Sequence, residues 1–340
     1  MIRVASLVGI SATTSLLSAH AAPKPNSEMK AVLDQLQSKG GKPIESLTAA
    51  EARNQPTPTD AVKSLLEAKK KDVNPEPVAE VRDIQIDGAA GKISARLYKP
   101  EGKGALPVVV YFHGGGFVIA TNDVYDATPR ALANLTHSIF LSVEYRKAPE
   151  SKFPAAHEDA FAAYQWVLKN AASFGGDPMK VAVAGESAGA NLALNTAIKA
   201  RDMKVQLPVH ELLVYPVASS DMNSKSYEEN SNAKPLNRPM MSWFVKNYLN
   251  NPGEAKDPRI DLVHANLKGL APATVITAEI DPLRSDGKEL SEKLKAAGVK
   301  VHYEDYKGVT HEFFGMAAVL KEAKKAQTVA ADDLKKSFIK

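Results

Sequence analysis

Val181-Ala-Val-Ala-Gly-Glu-Ser-Ala-Gly189 reads as a short buried strand that turns, through a serine between two glycines, into a helix beginning at Ala188. At such a strand-turn-helix elbow the serine hydroxyl is held out at the end of a sheet. The small residues two positions either side, Gly185 and Gly189, let the strand and helix backbones pass closely. Ser187 is therefore the candidate nucleophile. The pattern alone is cheap, since roughly 0.1 Gly-x-Ser-x-Gly matches are expected by chance at this length and composition. Its surroundings must decide.

Working outward, the strand containing Val181 to Ala184 is one of a series. Continuous apolar runs at Val108 to Phe112, Ser138 to Val143, Glu211 to Tyr215, Ala273 to Ala278 and Val299 to Tyr306 alternate with helical patterns near Ala127 to Leu135, Ala155 to Asn170, Ala188 to Arg201 and Ser285 to Ala297, with a last helix from Met316 onward. Apolar strands separated by helices predict a mostly parallel sheet with helices on both faces. Ahead of them, Val81 to Ile86 and Ile93 to Leu97 alternate across Asp87-Gly-Ala-Ala-Gly91 as a hairpin, giving eight strands in all.

Two stretches fall outside this rhythm. Residues 22–77 hold three small amphipathic helices. The first is capped by Ser27 with Met29, Val32, Leu33 and Leu36 on one face, the second opens on the capping-box spacing Thr48 to Glu51, and the third starts at Thr59. The connection between Tyr215 and Ala273 is far longer than a crossover needs, and carries Met240, Met241, Trp243 and Phe244 at helical spacing. Both are expected to form a cap over the sheet, the insertion spanning about 217–262 of a catalytic domain at 78–340. The four apolar side chains are candidates for the substrate pocket as well as the cap core.

Composition removes other classes. The net charge is +4, with 24% charged residues dispersed along 340 positions, so the basic stripe of a nucleic-acid binder is missing. Lys321, Lys324, Lys325, Lys335 and Lys336 read as a solvated helix face. There is no cysteine, which excludes disulfides and thiolate metal sites. Arg3, the weakly apolar run Val4 to Leu17 and Ala19-His-Ala21 read as a secretory signal at 1–21, too short and too rich in serine and threonine to span a bilayer, and predict a secreted or periplasmic protein.

His113-Gly-Gly-Gly116 directly follows the strand Val108 to Phe112, a run expected by chance only about 0.002 times. Unobstructed N–H groups at a strand end can point at a developing oxyanion, each being worth roughly a hundred-fold or more in rate. The N–H groups of Gly114, Gly115 and Ala188 are assigned that role, and His113 is expected to orient the loop. A serine also needs a histidine base and a carboxylate to hold it, which on elbow-bearing sheets follow in the order serine, acid, histidine. Of the downstream histidines, His210 and His302 lie in strands and His264 in a loop, whereas His311 follows the last strand where the loops converge. Asp281, just past the strand Ala273 to Ala278, is favoured as the acid over Glu279, still close to the strand, and Asp286, which suits the start of the next helix. Glu158 and Asp159 are expected to support packing.

From Val78 to Phe314 these landmarks resemble the hormone-sensitive-lipase-like family of α/β-hydrolase esterases: the glycine loop at His113, Tyr145-Arg-Lys-Ala-Pro-Glu150, the elbow, Asp281-Pro-Leu-Arg284 and Gly308-Val-Thr-His-Glu-Phe-Phe314. The resemblance implies a Ser187, Asp281, His311 triad, a two-part cap, no metal or cofactor, and hydrolysis of small to medium carboxylic esters through an acyl-enzyme. An activated amide or a lactone would suit the same triad. A non-catalytic small-molecule receptor on the same fold is the reading from another class. Lys147, Ala190, Ser285 and Glu312 depart from the family's usual leucine, glycine, acidic residue and glycine. Glu312 matters most, a carboxylate beside the base. Small-molecule esters are the expected partners, with no nucleic acid and no membrane span; monomer and homodimer both stay open.

Overall fold

The computed structural model describes residues 23–339, so the expected signal at 1–21 lies outside the described residues. Three helices come first, α1 (Ser27–Ser38), α2 (Ala49–Ala52) and α3 (Pro58–Ala68). Asn26, not Ser27, caps α1, its side chain accepting the Met29 N–H at 2.8 Å. The expected Thr48/Glu51 capping box closes α2. A second box, Thr57 with Asp60, caps α3, which starts at Pro58, one residue before the expected Thr59, because Pro58 fits the first helical position without losing a bond.

The sheet elements follow: β1 (Glu80–Gly88), β2 (Gly91–Lys99), β3 (Leu106–Phe112), α4 (Ala127–Thr136), β4 (Ile139–Val143), α5 (Ala155–Asn170), β5 (Gly176–Glu186), α6 (Ala188–Asp202) and β6 (Glu211–Val214). Then come α7 (Lys225–Glu229), α8 (Arg238–Tyr248), β7 (Ala273–Ile280), α9 (Arg284–Ala296), β8 (Val301–Thr310) and α10 (Lys321–Phe338). The eight strands form one sheet in the order β1-β2-β4-β3-β5-β6-β7-β8, in which β2 alone runs against its neighbours. This is the α/β-hydrolase fold with a helical cap. The last helix begins at Lys321 rather than Met316, since a short 3₁₀ turn at Phe313–Met316 intervenes.

Alternation along each strand feeds a core on either face. Val108, Val110, Phe112, Val181 and Val183 pack on one side, with residues of α5 and α6, while Val109, Tyr111, Ala182 and Ala184 pack on the other with residues of α4 and α10. With both faces covered the strands need no polar alternation, which is why they read as continuous apolar runs. Register then places the chemistry. Phe112 pairs with Gly185, bringing the glycine loop beside the elbow, and Ile280 pairs with Thr310, bringing Asp281 beside His311.

Over the sheet, α8 and the N-terminal segment meet: the Trp243 indole N–H donates to the Leu47 carbonyl at 2.9 Å. Arg53 fastens the same segment to the body, donating to the Val118 and Ala148 carbonyls and to both oxygens of Glu150.

Candidate active site

Ser187 sits between β5 and α6 at φ 56°, ψ −118°, strained for a residue with a side chain. The neighbouring glycines permit it. A Cβ on Gly189 would lie 1.9 Å from the Phe112 carbonyl oxygen, and one on Gly185 would lie 2.2 Å from the Gly189 backbone. The Ser187 N–H is tied to the Val214 carbonyl at 2.8 Å, which anchors the turn to β6.

His311 Nε2 lies 3.0 Å from Ser187 Oγ, and its Nδ1 lies 2.7 Å from Asp281 Oδ2. All three residues are buried. The other Asp281 oxygen accepts the Leu283 N–H at 2.9 Å, which fixes the carboxylate. Because a carboxylate only accepts, Nδ1 carries the proton and Nε2 is left to face the hydroxyl. Burial alone would push the imidazole down; the charge and hydrogen bond of Asp281, with the Glu312 carboxylate, outweigh it and hold His311 above its usual value.

The glycine loop lies alongside. Among the described residues the Gly114 and Gly115 N–H groups have no protein acceptor, and Ala188 stands at the start of α6, where an N–H has no intrahelical partner. Gly115 and Gly116 adopt φ of +99° and +58°, and Cβ atoms there would meet the Ile119 carbonyl and the Phe244 ring within 2.3 Å. His113 does not reach the serine. Its Nδ1–H donates to the Gly114 carbonyl at 2.7 Å and its ring stacks on Tyr145, whose hydroxyl donates to the His113 carbonyl at 2.9 Å.

The carboxylates and histidines weighed against Asp281 and His311 are engaged elsewhere. Glu279 accepts the Gly308 N–H, and Asp159 receives Arg146 and the Ala89 N–H, with Glu158 3.7 Å from Arg146. Asp286 does more than sit at a helix start: buried, it accepts the N–H groups of Ala218 and Ser219 at the entrance to the insertion. His264 pairs with Asp261 and His302 with Asp333, and His210 contacts Ser337 and Thr274.

A cavity of about 640 Å³ opens on Ser187 and His311, within the range of small-molecule sites. Met240, Met241 and Phe244 line it, as do Leu33, Leu36 and Ile44 from the N-terminal segment. Trp243 does not: its place on α8 turns it toward Leu47, so it joins the two cap pieces instead of walling the cavity. Sequence reasoning missed the polar layer beneath the elbow. Glu186 accepts the hydroxyls of Tyr111 and Tyr215, and burial lifts its carboxyl to about 7 against those two bonds. The Tyr215 ring also lies 4.4 Å from that of His311. No spacing rule links these residues, which meet only through sheet register.

Sheet order, elbow and the converging serine, histidine and aspartate define the α/β-hydrolase class. A family model described as the alpha/beta hydrolase fold matches residues 109–315. The carboxylesterase NlhH of Mycobacterium tuberculosis is 39% identical over 257 residues, 74% of this chain and 80% of that protein. The ethyl acetate hydrolase of Pseudomonas putida is 31% identical over 297 residues, 86% of this chain and 91% of that one. Among solved structures, the hyperthermophilic esterase of the archaeon Pyrobaculum calidifontis is similar with a TM-score of 0.83 at 36% identity, covering 92% of this chain and 98% of its own. The chain belongs to the α/β-hydrolase family, among its carboxylesterases and esterase-lipases.

Proposed function

We propose that the chain is a serine carboxylesterase of the hormone-sensitive-lipase-like branch, acting on small to medium acyl esters through an acyl-enzyme. The observation that carries this is the continuous chain Asp281–His311–Ser187, with steps of 2.7 and 3.0 Å, ending at a strained serine under a mainly apolar cavity. Ser187 Oγ attacks the ester carbonyl while His311 takes its proton. The oxyanion is met by the N–H groups of Gly114, Gly115 and Ala188. His311 then protonates the departing alcohol, and Asp281 holds the imidazolium throughout. Water repeats the cycle on the acyl-enzyme and frees the acid. His113 acts through the loop it holds, without touching substrate.

A cavity of about 640 Å³, lined by residues of the N-terminal segment and of α8, supports modest acyl length. A series of nitrophenyl esters from acetyl to palmitoyl should give the highest kcat/KM at short to medium chains; preference for long emulsified chains would overturn the substrate assignment. The proposal includes export directed by residues 1–21. Intact mass of the exported protein should correspond to a chain beginning at Ala22, and an uncleaved chain retained in the cytosol would contradict it.

A further inference from the structure

Glu312 lines the cavity together with Ser187 and His311. Its Oε1 lies 3.9 Å from His311 Nε2 and accepts the Tyr125 hydroxyl at 2.6 Å. Tyr125 is itself pressed against the glycine loop, since a Cβ on Gly114 would come 2.2 Å from its hydroxyl. The second oxygen, Oε2, makes no hydrogen bond to any described residue, and the side chain keeps 21% exposure. The backbone here is left-handed, φ 71°, where glycine would be unstrained. Strained side chains persist where their surroundings over-determine them, and they cluster at functional sites. Tyr125 aims this one at the reacting edge of His311.

We propose that Glu312 orients the water that attacks the acyl-enzyme. The inference rests on Ser187 being the nucleophile. A water at about 2.8 Å from both Nε2 and a Glu312 oxygen can bridge the 3.9 Å between them, one O–H facing each. A lone pair is then free for the acyl carbon on Ser187 Oγ. As the new C–O bond forms, one water proton passes to Nε2, while the other stays on the incoming oxygen, hydrogen-bonded to Glu312. Collapse breaks the bond from the acyl carbon to Ser187 Oγ. Nε2 returns its proton to Oγ, and the carboxylic acid leaves with the proton Glu312 had held in place.

The same geometry favours water over alcohol. The leaving alcohol of the first half-reaction, and any alcohol competing in the second, has only one hydroxyl proton. Nε2 claims it, so Glu312 has nothing to accept. This water-orienting contribution therefore falls on deacylation, whereas the Glu312 charge beside His311 bears on both half-reactions alike.

The test follows both half-reactions on the plateau of the pH profile, with wild type, Glu312→Gln and Glu312→Gly. Glycine suits the φ of 71°, so the second variant keeps the loop foldable. The nitrophenolate burst from nitrophenyl butyrate reports acylation, and rapid quench with intact-mass analysis follows decay of the butyryl adduct. Expected are a burst rate within about twofold of wild type and adduct decay slowed about tenfold in Glu312→Gly, with Glu312→Gln between. Added methanol should restore turnover of the glycine variant and divert product to methyl butyrate. Adduct decay at the wild-type rate, or equal slowing of burst and decay, would overturn the proposal. Turnover in Ser187→Ala, with no adduct on Ser187 in any protein, would instead overturn the nucleophile assignment on which it rests.

Discussion

At the scale of single residues, the site is governed by what surrounds one imidazole. Asp281 fixes the His311 tautomer through a 2.7 Å bond, so Asp281→Asn should leave the fold intact and lower kcat by about 10⁴, because an amide can also donate and would favour the wrong tautomer. Steady-state kinetics with a circular-dichroism control checks this; a loss below tenfold would contradict the role. In the proposed mechanism His311 has to be neutral to accept the serine proton, and its value is held up partly by Glu312. Activity should thus fall as pH drops through that raised value. Removing the negative charge in Glu312→Gln should move this acid limb to lower pH, as read from kcat/KM against pH; a limb that stays put or moves upward would deny the coupling. That Ser187, Asp281 and His311 come together was legible because each follows a strand end within a short motif. The Tyr125–Glu312 bond was not, since its partners stand 187 positions apart and only the folded sheet brings them together.

Elements explain how such strain is carried. The elbow depends on α6 crossing β3 so closely that Gly189 has no room for a side chain, with 1.9 Å to the Phe112 carbonyl. Gly189→Ala must displace the helix that follows Ser187, and it should lower the melting temperature and abolish ester turnover together. A variant with native melting and native kcat would show that α6 can shift freely. Most elements were readable where period and cap agree, as at α2 with its Thr48/Glu51 box. Boundaries moved where neighbouring residues compete for one role. Asn26 displaced Ser27 as cap of α1, and Thr57 with Pro58 displaced Thr59 at α3. Trp243 shows a further limit: helical spacing places it on α8, but not on which side of α8 the cavity lies.

For the whole molecule, burial on both faces of the sheet stabilises the fold and also constrains titration. Glu211, on β6, is buried with one oxygen receiving the Ala271 N–H and the other without a protein partner, and burial pushes its carboxyl up to about 8 from an ordinary 4.5. The folded state therefore binds this proton more tightly than the unfolded chain. Its stabilising contribution is complete below about 4.5 and is lost as pH rises toward 8. Melting temperature against pH should accordingly fall less steeply across that window in Glu211→Gln than in wild type; parallel curves would deny the linkage. The α/β order and the helical cap could be read from sequence because apolar runs and an over-long connection are long-range signals. The cavity's shape could not, since it arises where two segments far apart in the chain close over a third.

The proposed function requires that this fold activate one particular serine. Titration with a fluorophosphonate, followed by peptide mass mapping, tests it most directly. One equivalent should bind, located on Ser187, with ester turnover lost in proportion and no labelling of Ser187→Ala. An unreactive protein, or a label that maps to another residue while turnover persists, would contradict it.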